Sequence, residues 1–241
     1  MGSEVLLSLV IPAHNEERRL KRTLPMMVRY LRSAFPSSEI LVSEDGSVDR
    51  TVDFVRELSK ATQDPVVRVL SSRRRLGKGS GVRRGVLAAA GRYVIVMDAD
   101  MPVQLSSIQR AVDKLSSGAD IVLGSRNLPE SRRDEPRVRR FFSRAFRFLV
   151  RVLFHFDFDT QCGFKGFRRE RAVPLFHVLR INSLAYDVEL VLQALEMGLR
   201  IVELPVDWKY DWNTSLRFRD IPRMLLDLMR VRLGCRPLSH R

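Results

Sequence analysis

The sequence predicts an α/β protein with a mostly parallel sheet and helices on both of its faces. Short apolar runs alternate with amphipathic stretches through the first half of the chain. These runs are continuous rather than alternating, which is typical of strands that are buried on both sides. The 241 residues, 45% of them hydrophobic, are enough for one such unit with a sizeable core.

The predicted elements follow each other as strand and helix. The first helix contains Pro25, where we expect a kink. Turn and cap residues precede the second helix, and a Gly-rich turn precedes the third. The predicted strands are 6–12, 39–43, 66–71, 93–97 and 120–124, and the predicted helices are 16–35, 52–61, 81–91 and 105–116.

The second half of the chain has a different composition. From Arg126 to Arg151 there are nine arginines and three carboxylates, with phenylalanines between them. A helix near 187–197 and a strand at 201–206 follow. Two stretches, 136–155 and 216–233, mix arginine with Phe, Leu and Met as interfacial helices do. We therefore expect one domain, 1–215, and a basic amphipathic extension, 216–241.

The charge of the chain favours anionic partners. Lys and Arg number 42 and Asp and Glu number 28, which gives +14. Membrane surfaces, nucleic acids and phosphorylated small molecules are all compatible with such a charge. The arginine excess is equally compatible with a GC-rich or thermophilic source. Because the arginines accompany phenylalanines at helical spacing and no standard nucleic-acid motif occurs, we expect no nucleic-acid partner.

The cysteines and the apolar segments indicate the cellular compartment of the protein. Cys162 and Cys235 form neither a disulfide framework nor a metal motif, which favours a reducing compartment. The first residues turn charged before an apolar segment of signal-peptide length is complete. The sequence lacks a run of about 18 apolar residues, the length that a spanning helix needs. We expect a cytoplasmic protein without a spanning helix.

Three polar motifs follow predicted strands: "PAHNE" (12–16), "EDGS" (44–47) and "DAD" (98–100). The carboxyl ends of parallel strands meet at one edge of a sheet, so we expect these motifs to converge. Asp98 and Asp100 repel each other unless a cation compensates them, and oxygen ligands suit Mg²⁺ or Mn²⁺ bridging a diphosphate. Each motif is also compatible with a simple turn or helix cap.

Two further groups are candidates for nucleotide contacts. Asp45 could accept hydrogen bonds from a base or ribose, and His14 could lie against a base. "GKGSG" (77–81) matches neither phosphate-loop template, and we interpret it as a loop that opens a helix. Lys78 in this loop is a candidate to reach the nucleotide.

Five motifs of the first half, taken in order, resemble the family 2 inverting glycosyltransferases with the GT-A fold. These motifs are "LSLVIPAHNEE", "VSEDGSVDRT", "GKGSGVRRGV", "VIVMDADM" and "DIVLGSR". In the second half, "DTQCGFKGFRRE", "YDVELVLQALEMG" and "IVELPVDWK" are similar to dolichyl-phosphate β-glucosyltransferases, and more loosely to dolichyl-phosphate mannose synthases. The resemblance covers about residues 6–215.

The resemblance implies a role for each matching residue. Asp98 would face the ribose and the metal, and Asp100 would ligate the metal. Arg126 and Arg139 would hold an acceptor phosphate, and Asp159 would lie near the transferred sugar or the acceptor. The base pocket would be lined by Pro12, His14, Glu16 and Asp45.

Three departures from the family pattern stand out. His14 replaces a tyrosine found in many relatives. Pro102 stands where the mannose synthases have a metal-binding glutamine, and Gln104 is the nearest substitute. We also expect no hydrophobic N-terminal anchor of the kind that the eukaryotic relatives have, and therefore peripheral association with the cytoplasmic face of a membrane.

The predicted reaction moves glucose from UDP-glucose, with inversion, to a dolichyl or polyprenyl phosphate. A phosphate monoester is already anionic near neutral pH, so it needs no general base. GDP-mannose as donor is one alternative. A sugar hydroxyl acceptor is another, which would need Asp187 or Asp159 as base. A nucleotidyltransferase would carry a Gly-rich signature after strand one, and "VIPAHNEERRL" lacks this signature. The sequence is also compatible with a homodimer.

Overall fold

The computed structural model describes residues 4–62, 65–209 and 221–234, and only the backbone of Arg137, Arg139 and 221–224. The strands in these ranges are β1 (Leu7–Ala13), β2 (Ser38–Asp45), β3 (Val66–Ser72), β4 (Tyr93–Val96), β5 (Ile121–Ser125), β6 (Arg133–Asp134), β7 (Lys165–Arg168), β8 (Ile201–Pro205) and β9 (Trp208–Lys209). The helices are α1 (Glu17–Ala34), α2 (Thr51–Ala61), α3 (Lys78–Ala88), α4 (Ser106–Ser116), α5 (Arg137–Phe154), α6 (Arg169–Val178), α7 (Tyr186–Glu196) and α8 (Ile221–Gly234).

Seven strands form one sheet in the order β3-β2-β1-β4-β7-β5-β8. The pairs β3–β2, β2–β1, β1–β4 and β5–β8 are parallel, whereas β7 runs antiparallel to both β4 and β5. β6 and β9 form a separate two-stranded parallel sheet. The predicted mostly parallel α/β fold is confirmed.

The sheet separates two apolar layers. Leu9 and Ile11 of β1 face a core shared with α1, α2 and α4, while Val10 between them faces a core shared with α3, α5, α6, α7 and α8. Successive side chains of a strand point to opposite faces, so both must be apolar when both faces are covered. This is the physical reason for the continuous apolar runs in the sequence.

Helix α1 (Glu17–Ala34) agrees with the predicted helix and includes Pro25. The predicted start of α3 was wrong. Helix α3 begins at Lys78 rather than at residue 81, directly after Gly77 with its φ of +119°. The elements β6, β7, β9 and α6 were not predicted. The antiparallel β7 matters most, because it separates β4 from β5.

The predicted amphipathic extension is only partly described. Residues 216–220 and 235–241, including Cys235, lie outside the described residues. In α8, Leu228 and Val231 are buried, but so is Asp227, while Leu226 and Leu233 are exposed. An apolar side and a polar side are therefore not clearly separated in this helix. Among the helices described here, none has the length and apolarity to cross a bilayer.

Candidate active site

The three polar motifs meet at one edge of the sheet. β1 is hydrogen-bonded to β2 on one side and to β4 on the other, and all three strands are parallel. Their carboxyl ends carry "PAHNE", "EDGS" and "DAD". The predicted convergence of these motifs is confirmed by the strand order.

The two carboxylates after β4 differ in their partners. Asp98 Oδ1 lies 2.7 Å from Lys78 Nζ. Asp100 Oδ1 is buried and has no hydrogen-bond partner within the described part of the chain. Burial, and then the charge of Asp98, raise the pKa of Asp100 to about 6. The backbone turns sharply after them, since Met101 has a φ of +51°.

This arrangement fits a divalent cation. A buried carboxylate oxygen without a donor, next to a second carboxylate, is stabilised when a cation binds both. The described residues contain no group of three or more His, Cys, Asp or Glu side chains that could hold a metal ion without other ligands. Mg²⁺ and Mn²⁺ need no such cluster when water and a substrate diphosphate complete the coordination. Gln104 points elsewhere, since its Nε2 lies 3.4 Å from Asp207 Oδ2.

Lys78 lies in the first turn of α3, next to these carboxylates. Burial alone would lower the pKa of Lys78, but Asp98 and Asp187 outweigh it and raise that pKa to about 12. The ammonium group therefore stays charged beside the candidate cation site. Its position agrees with the prediction that Lys78 reaches a nucleotide, which remains a prediction.

Asp45 has a role that the sequence did not indicate. Its carboxylate accepts hydrogen bonds from the backbone N–H groups of Leu76 and Gly77, at 2.7 to 3.1 Å. The ring Nδ1 of His14 lies 2.8 Å from the carbonyl oxygen of Asp45. Asp45 thus fixes the loop before α3 and connects it to β1. Contacts of Asp45 and His14 with a base remain predictions.

The other residues predicted for the base pocket lie at the same edge. Pro12 belongs to β1 and is paired with Ser43 of β2. Both carboxylate oxygens of Glu16 accept hydrogen bonds from Arg19 NH1 at 2.9 Å. Glu16 and Arg19 are close enough to Asp100 to act on its pKa, in opposite directions. Whether Pro12 and Glu16 contact a base stays a prediction.

Arg126 and Asp159, predicted separately, form one buried pair. Arg126 donates from Nε to Asp159 Oδ2 at 2.9 Å and from NH2 to Oδ1 at 2.8 Å. Its backbone N–H donates to Oδ2 as well, at 2.9 Å. Burial alone would raise the pKa of Asp159, but Arg126 outweighs it and keeps that pKa below its ordinary value. The Arg126 guanidinium also stacks over Trp208, 5.4 Å from the ring centroid.

Arg126 borders a polar cavity of about 310 Å³, the arginine cavity. Next to it, the buried carboxylate of Glu135 lies 3.2 Å from Arg133 NH1 and 3.7 Å from Arg140 Nε. The backbone of Arg139 lies in the adjoining first turn of α5, and its side chain is outside the described structure. The cavity is lined by Arg126, Asn127, Ser131, Arg133, Arg140 and Arg144.

Sequence reasoning missed Arg133, Arg140, Arg144 and Glu135 as members of this site. The arginine-rich stretch after β5 was the available signal, but helical phase alone does not say which arginines turn inward. Glu135 is buried in contact with Arg133 and with Arg140, five residues further along, and the local sequence pattern does not indicate this burial.

One segment, residues 159–164, joins the two sides of the site, and we call it the connecting loop. Near its start, Asp159 holds Arg126. Near its end, Gly163 lies against the Asp98 carboxylate, which an added Cβ would overlap. Asp98 follows β4 and Arg126 follows β5, with β7 between them. Two strand spacings correspond to roughly 10 Å, so both groups lie at the same edge of the sheet, on either side of β7.

The two candidate general bases are engaged in ion pairs. Asp159 is 4% exposed and pairs with Arg126. Asp187 is 3% exposed, and its Oδ1 lies 2.7 Å from Lys165 Nζ. A general base must come within hydrogen-bond reach of the proton it removes. Neither burial nor pairing favours that role for these groups.

Comparison with known proteins decides the family. The model for "Glycosyl transferase family 2" matches residues 8–173. The chain belongs to glycosyl transferase family 2. The matched range contains the candidate cation site, Arg126, the connecting loop and β7. The predicted family and its GT-A fold are thereby confirmed.

Within family 2, the chain is similar in sequence to several named glycosyltransferases. The chain is 35% identical to glycosyltransferase AglD of Haloferax volcanii over 94% of its own length, but it spans only 37% of AglD. It is 31% identical to the dolichyl-phosphate beta-glucosyltransferase of Dictyostelium discoideum, covering 95% of this chain and 74% of that protein. The dolichyl-phosphate beta-glucosyltransferase ALG5A of Trichomonas vaginalis is also 31% identical, with 95% and 73% covered.

Solved structures show the same fold. Glucosyl-3-phosphoglycerate synthase from Mycobacterium tuberculosis, in complex with Mn²⁺ and UDP-glucose, superposes with a TM-score of 0.70 at 19% identity. The superposition covers 97% of this chain and 80% of the synthase. At this identity the likeness concerns the fold of the family 2 domain.

Proposed function

We propose that this family 2 protein transfers glucose from UDP-glucose, with inversion, to the phosphate of a dolichyl or other polyprenyl phosphate. One observation carries the proposal. The carboxylates of Asp98 and Asp100 and the arginine cavity lie at the same edge of the sheet, with β7 between them. Such an arrangement supports a metal-bound diphosphate on one side of β7 and a second phosphate on the other.

The donor side would hold a nucleoside diphosphate. Asp98 and Asp100 would bind Mg²⁺ or Mn²⁺, and the cation would supply charge stabilisation to the departing diphosphate. Lys78 can exchange its contact with Asp98 for one with a phosphate oxygen, because its ammonium group is already charged. The Mn²⁺ and UDP-glucose in the Mycobacterium tuberculosis synthase support this choice of ligands.

The acceptor side has the charge that suits a phosphate monoester. Arg126, Arg133, Arg140 and Arg144 contribute four positive charges, and Asp159 and Glu135 next to them contribute two negative ones, so two positive charges remain. A phosphate monoester near neutral pH carries a charge of about −1.5 to −2. Arginine is suited to it, because the guanidinium donates two parallel hydrogen bonds to phosphate and stays protonated.

The proposed reaction needs no proton transfer in the attacking step. A phosphate oxygen forms the new bond to the anomeric carbon, while the bond from that carbon to the diphosphate breaks and UDP leaves with the electron pair. The arginine cavity orients the attacking oxygen, and Lys78 offsets charge on the leaving group. The burial of Asp159 and Asp187 in ion pairs supports a route without a carboxylate base.

Helix α5 supplies a surface for the lipid part of such an acceptor. Its arginines at 140 and 144 line the arginine cavity. The exposed apolar side chains recur at helical spacing along an adjacent stripe, and Phe141 and Phe148 are 68% and 69% exposed. The stripe consists of Val138, Phe141, Ala145, Phe148 and Val152.

This α5 stripe supports peripheral binding to a membrane surface, on the cytoplasmic face in our proposal. Apolar residues beside arginines are the pattern of helices that lie in the interface of an anionic bilayer. The phosphate of a membrane-resident acceptor would then enter the arginine cavity, while its polyprenyl chain stays in the bilayer. Packing of the same stripe against a second copy of the chain is the competing outcome, and vesicle binding measured together with the oligomeric state distinguishes the two.

The deciding experiment is a transfer assay with purified protein. UDP-[¹⁴C]glucose and GDP-[¹⁴C]mannose are each incubated with dolichyl and undecaprenyl phosphate in Mn²⁺, Mg²⁺ or EDTA, and the lipid is extracted into organic solvent. We expect label in the organic phase with UDP-glucose and a divalent cation, and none with EDTA. Label in the organic phase from GDP-mannose alone would contradict glucose as the transferred sugar. Label that stays in the aqueous phase in every arm would contradict a polyprenyl phosphate as the acceptor.

A further inference from the structure

Lys165 is a lysine in the interior of the protein. Its side chain is 2% exposed, at the first position of β7. β7 enters the sheet between β4 and β5, where Lys165 is paired with Val96 and with Leu123. A lysine is almost never buried without a partner, because removing the ammonium group from water is strongly unfavourable. The sequence therefore places a costly charge where the connecting loop enters the sheet.

The ammonium group of Lys165 has two oxygen partners. It donates to the carbonyl oxygen of Cys162 at 2.6 Å, and it lies 2.7 Å from Asp187 Oδ1. Cys162 belongs to the connecting loop, and Asp187 belongs to the first turn of α7. Lys165 thus ties the end of the connecting loop to a helix on the other side of the site.

The helix end that carries Asp187 is itself fixed. The side chain of Tyr186, next to Asp187 in the chain, is buried. An added Cβ on Gly79, in the first turn of α3, would overlap the Tyr186 side chain. The first turns of α3 and α7 are therefore in close contact. Lys78 belongs to the same turn of α3, so Asp187 lies near Lys78 as well as Lys165. The charge of Asp187 accordingly raises the pKa of Lys78.

A contribution to stability alone does not explain such a pair. Buried ion pairs stabilise proteins little compared with apolar side chains of the same volume, and their best-attested use is to specify one geometry. The geometry specified here is that of the connecting loop. One end of that loop seats Asp98 against Gly163, and the other end holds Arg126 through Asp159.

We propose that Lys165 and Asp187 form a positioning pair, which fixes the connecting loop so that the donor carboxylates and the acceptor arginine face each other. This inference rests on the proposed function. According to this inference, Asp187 is not a general base that removes a proton from the acceptor. Both residues act through the connecting loop and through α3, and neither touches substrate.

Three variants test the pair: Lys165→Met, Asp187→Asn, and the apolar double variant Lys165→Met/Asp187→Leu. The single variants each leave one buried charge unpaired, so we expect them to lose thermal stability. The double variant removes both charges, and replacement of a buried pair by apolar residues is often neutral or stabilising. A matched control is Glu39→Gln, which removes a buried carboxylate paired with Arg68 at the opposite end of the sheet.

Two measurements are made on each variant below its melting temperature: the Kd of UDP with Mn²⁺ by calorimetry, and kcat in the transfer assay. We expect the double variant to keep a wild-type Tm, yet to bind UDP about 10-fold more weakly and to lose about 10- to 100-fold in kcat, as displaced catalytic groups do. Glu39→Gln is expected to lose Tm while it keeps both Kd and kcat.

Two results would overturn the inference. One is a folded double variant with wild-type Kd and kcat. The other is an inactive Asp187→Asn beside a fully active Lys165→Met, which would mean that Asp187 acts on substrate. If the wild type glucosylates no polyprenyl phosphate, the proposed function fails, and the comparison of UDP affinities still decides the inference.

Discussion

The Asp98 carboxylate packs directly against the backbone of Gly163, with no room for a side chain between them. Asp98 follows β4, whereas Gly163 belongs to a loop that is 65 residues further along the chain. Contact between these two residues therefore depends on β7 being correctly inserted next to β4. It also makes glycine necessary at position 163 for a steric reason.

Gly163→Ala is expected to displace Asp98 from the candidate cation site. The added methyl group overlaps the carboxylate, so either the loop or Asp98 must move. A loss of about 10- to 100-fold in kcat is expected from such a displacement, together with weaker Mn²⁺-dependent binding of UDP by calorimetry. Gly81→Ala is the control, because its nearest neighbour would be 3.6 Å away, at ordinary contact distance. If Gly163→Ala binds UDP and Mn²⁺ with wild-type affinity, this placement of Asp98 is contradicted.

Asp100→Asn is expected to separate stability from metal binding. The variant removes a carboxylate whose buried Oδ1 has no donor among the described groups and whose ionisation burial opposes. Its melting temperature in EDTA should therefore equal or exceed that of the wild type. The rise in melting temperature that Mn²⁺ and UDP cause in the wild type should disappear, as measured by differential scanning fluorimetry. A full Mn²⁺-dependent rise in the variant would exclude Asp100 as a ligand.

Asp159→Asn is expected to destabilise the fold in a pH-dependent way. Asparagine leaves the buried Arg126 without a counter-charge, at a cost of about 3 kcal/mol. The pKa of Asp159 is lower in the folded protein than its ordinary value, so its contribution is complete above that ordinary value, about 3.9. The contribution is then lost as the pH falls through the lower folded-state pKa.

Urea unfolding of wild type and Asp159→Asn, followed from about pH 7 to pH 3, measures this difference. The gap in free energy of unfolding should stay constant down to about pH 4 and narrow below it. A gap that widens on acidification would have the wrong sign and would contradict the ion pair.

Phe141→Ser/Phe148→Ser is expected to weaken membrane binding without unfolding the protein. Both side chains are more than two thirds exposed, so little packing is lost. Co-sedimentation with vesicles of phosphatidylcholine and phosphatidylserine should fall several-fold, and high salt should weaken the wild type as well, since arginines contribute. Met197→Ser, 42% exposed at the far end of α7, is the control.

Analytical ultracentrifugation of the same proteins measures their oligomeric state and so distinguishes membrane binding by the α5 stripe from contact with a second subunit. If the double variant binds vesicles as well as the wild type does but changes from dimer to monomer, the stripe is a subunit interface rather than a membrane surface.

The strand ends and the convergence of the three motifs could be predicted because the information for them is local. A continuous apolar strand followed by two carboxylates marks the end of the strand, and parallel order then brings the motifs together. That Asp98 and Asp100 bind a cation stays a prediction. The acceptor side depends on tertiary contacts. Arg126 and Asp159 were predicted as separate ligands, since nothing at either position reveals that 33 residues of chain fold back to pair them.

β7 was missed for a related reason. "KGFR" contains glycine and two basic residues, so neither alternation nor an apolar run marks it as a strand. Lys165 is tolerated in the interior only because Asp187 and the carbonyl of Cys162 meet it there. Such partners belong to other elements, and local patterns do not report them.

The insertion of β7 also constrains how the polypeptide can assemble during synthesis. β1 to β4 can pair with each other as soon as they emerge, but the edges of β4 and β5 stay open until residue 168 has been made. Unpaired edges favour association between chains, and a nascent chain exposes them for several seconds at ordinary rates of translation. The sheet edge that carries the candidate active site is consequently one of the last parts to form, and a chain truncated before β7 is expected to aggregate rather than to remain as a folded fragment.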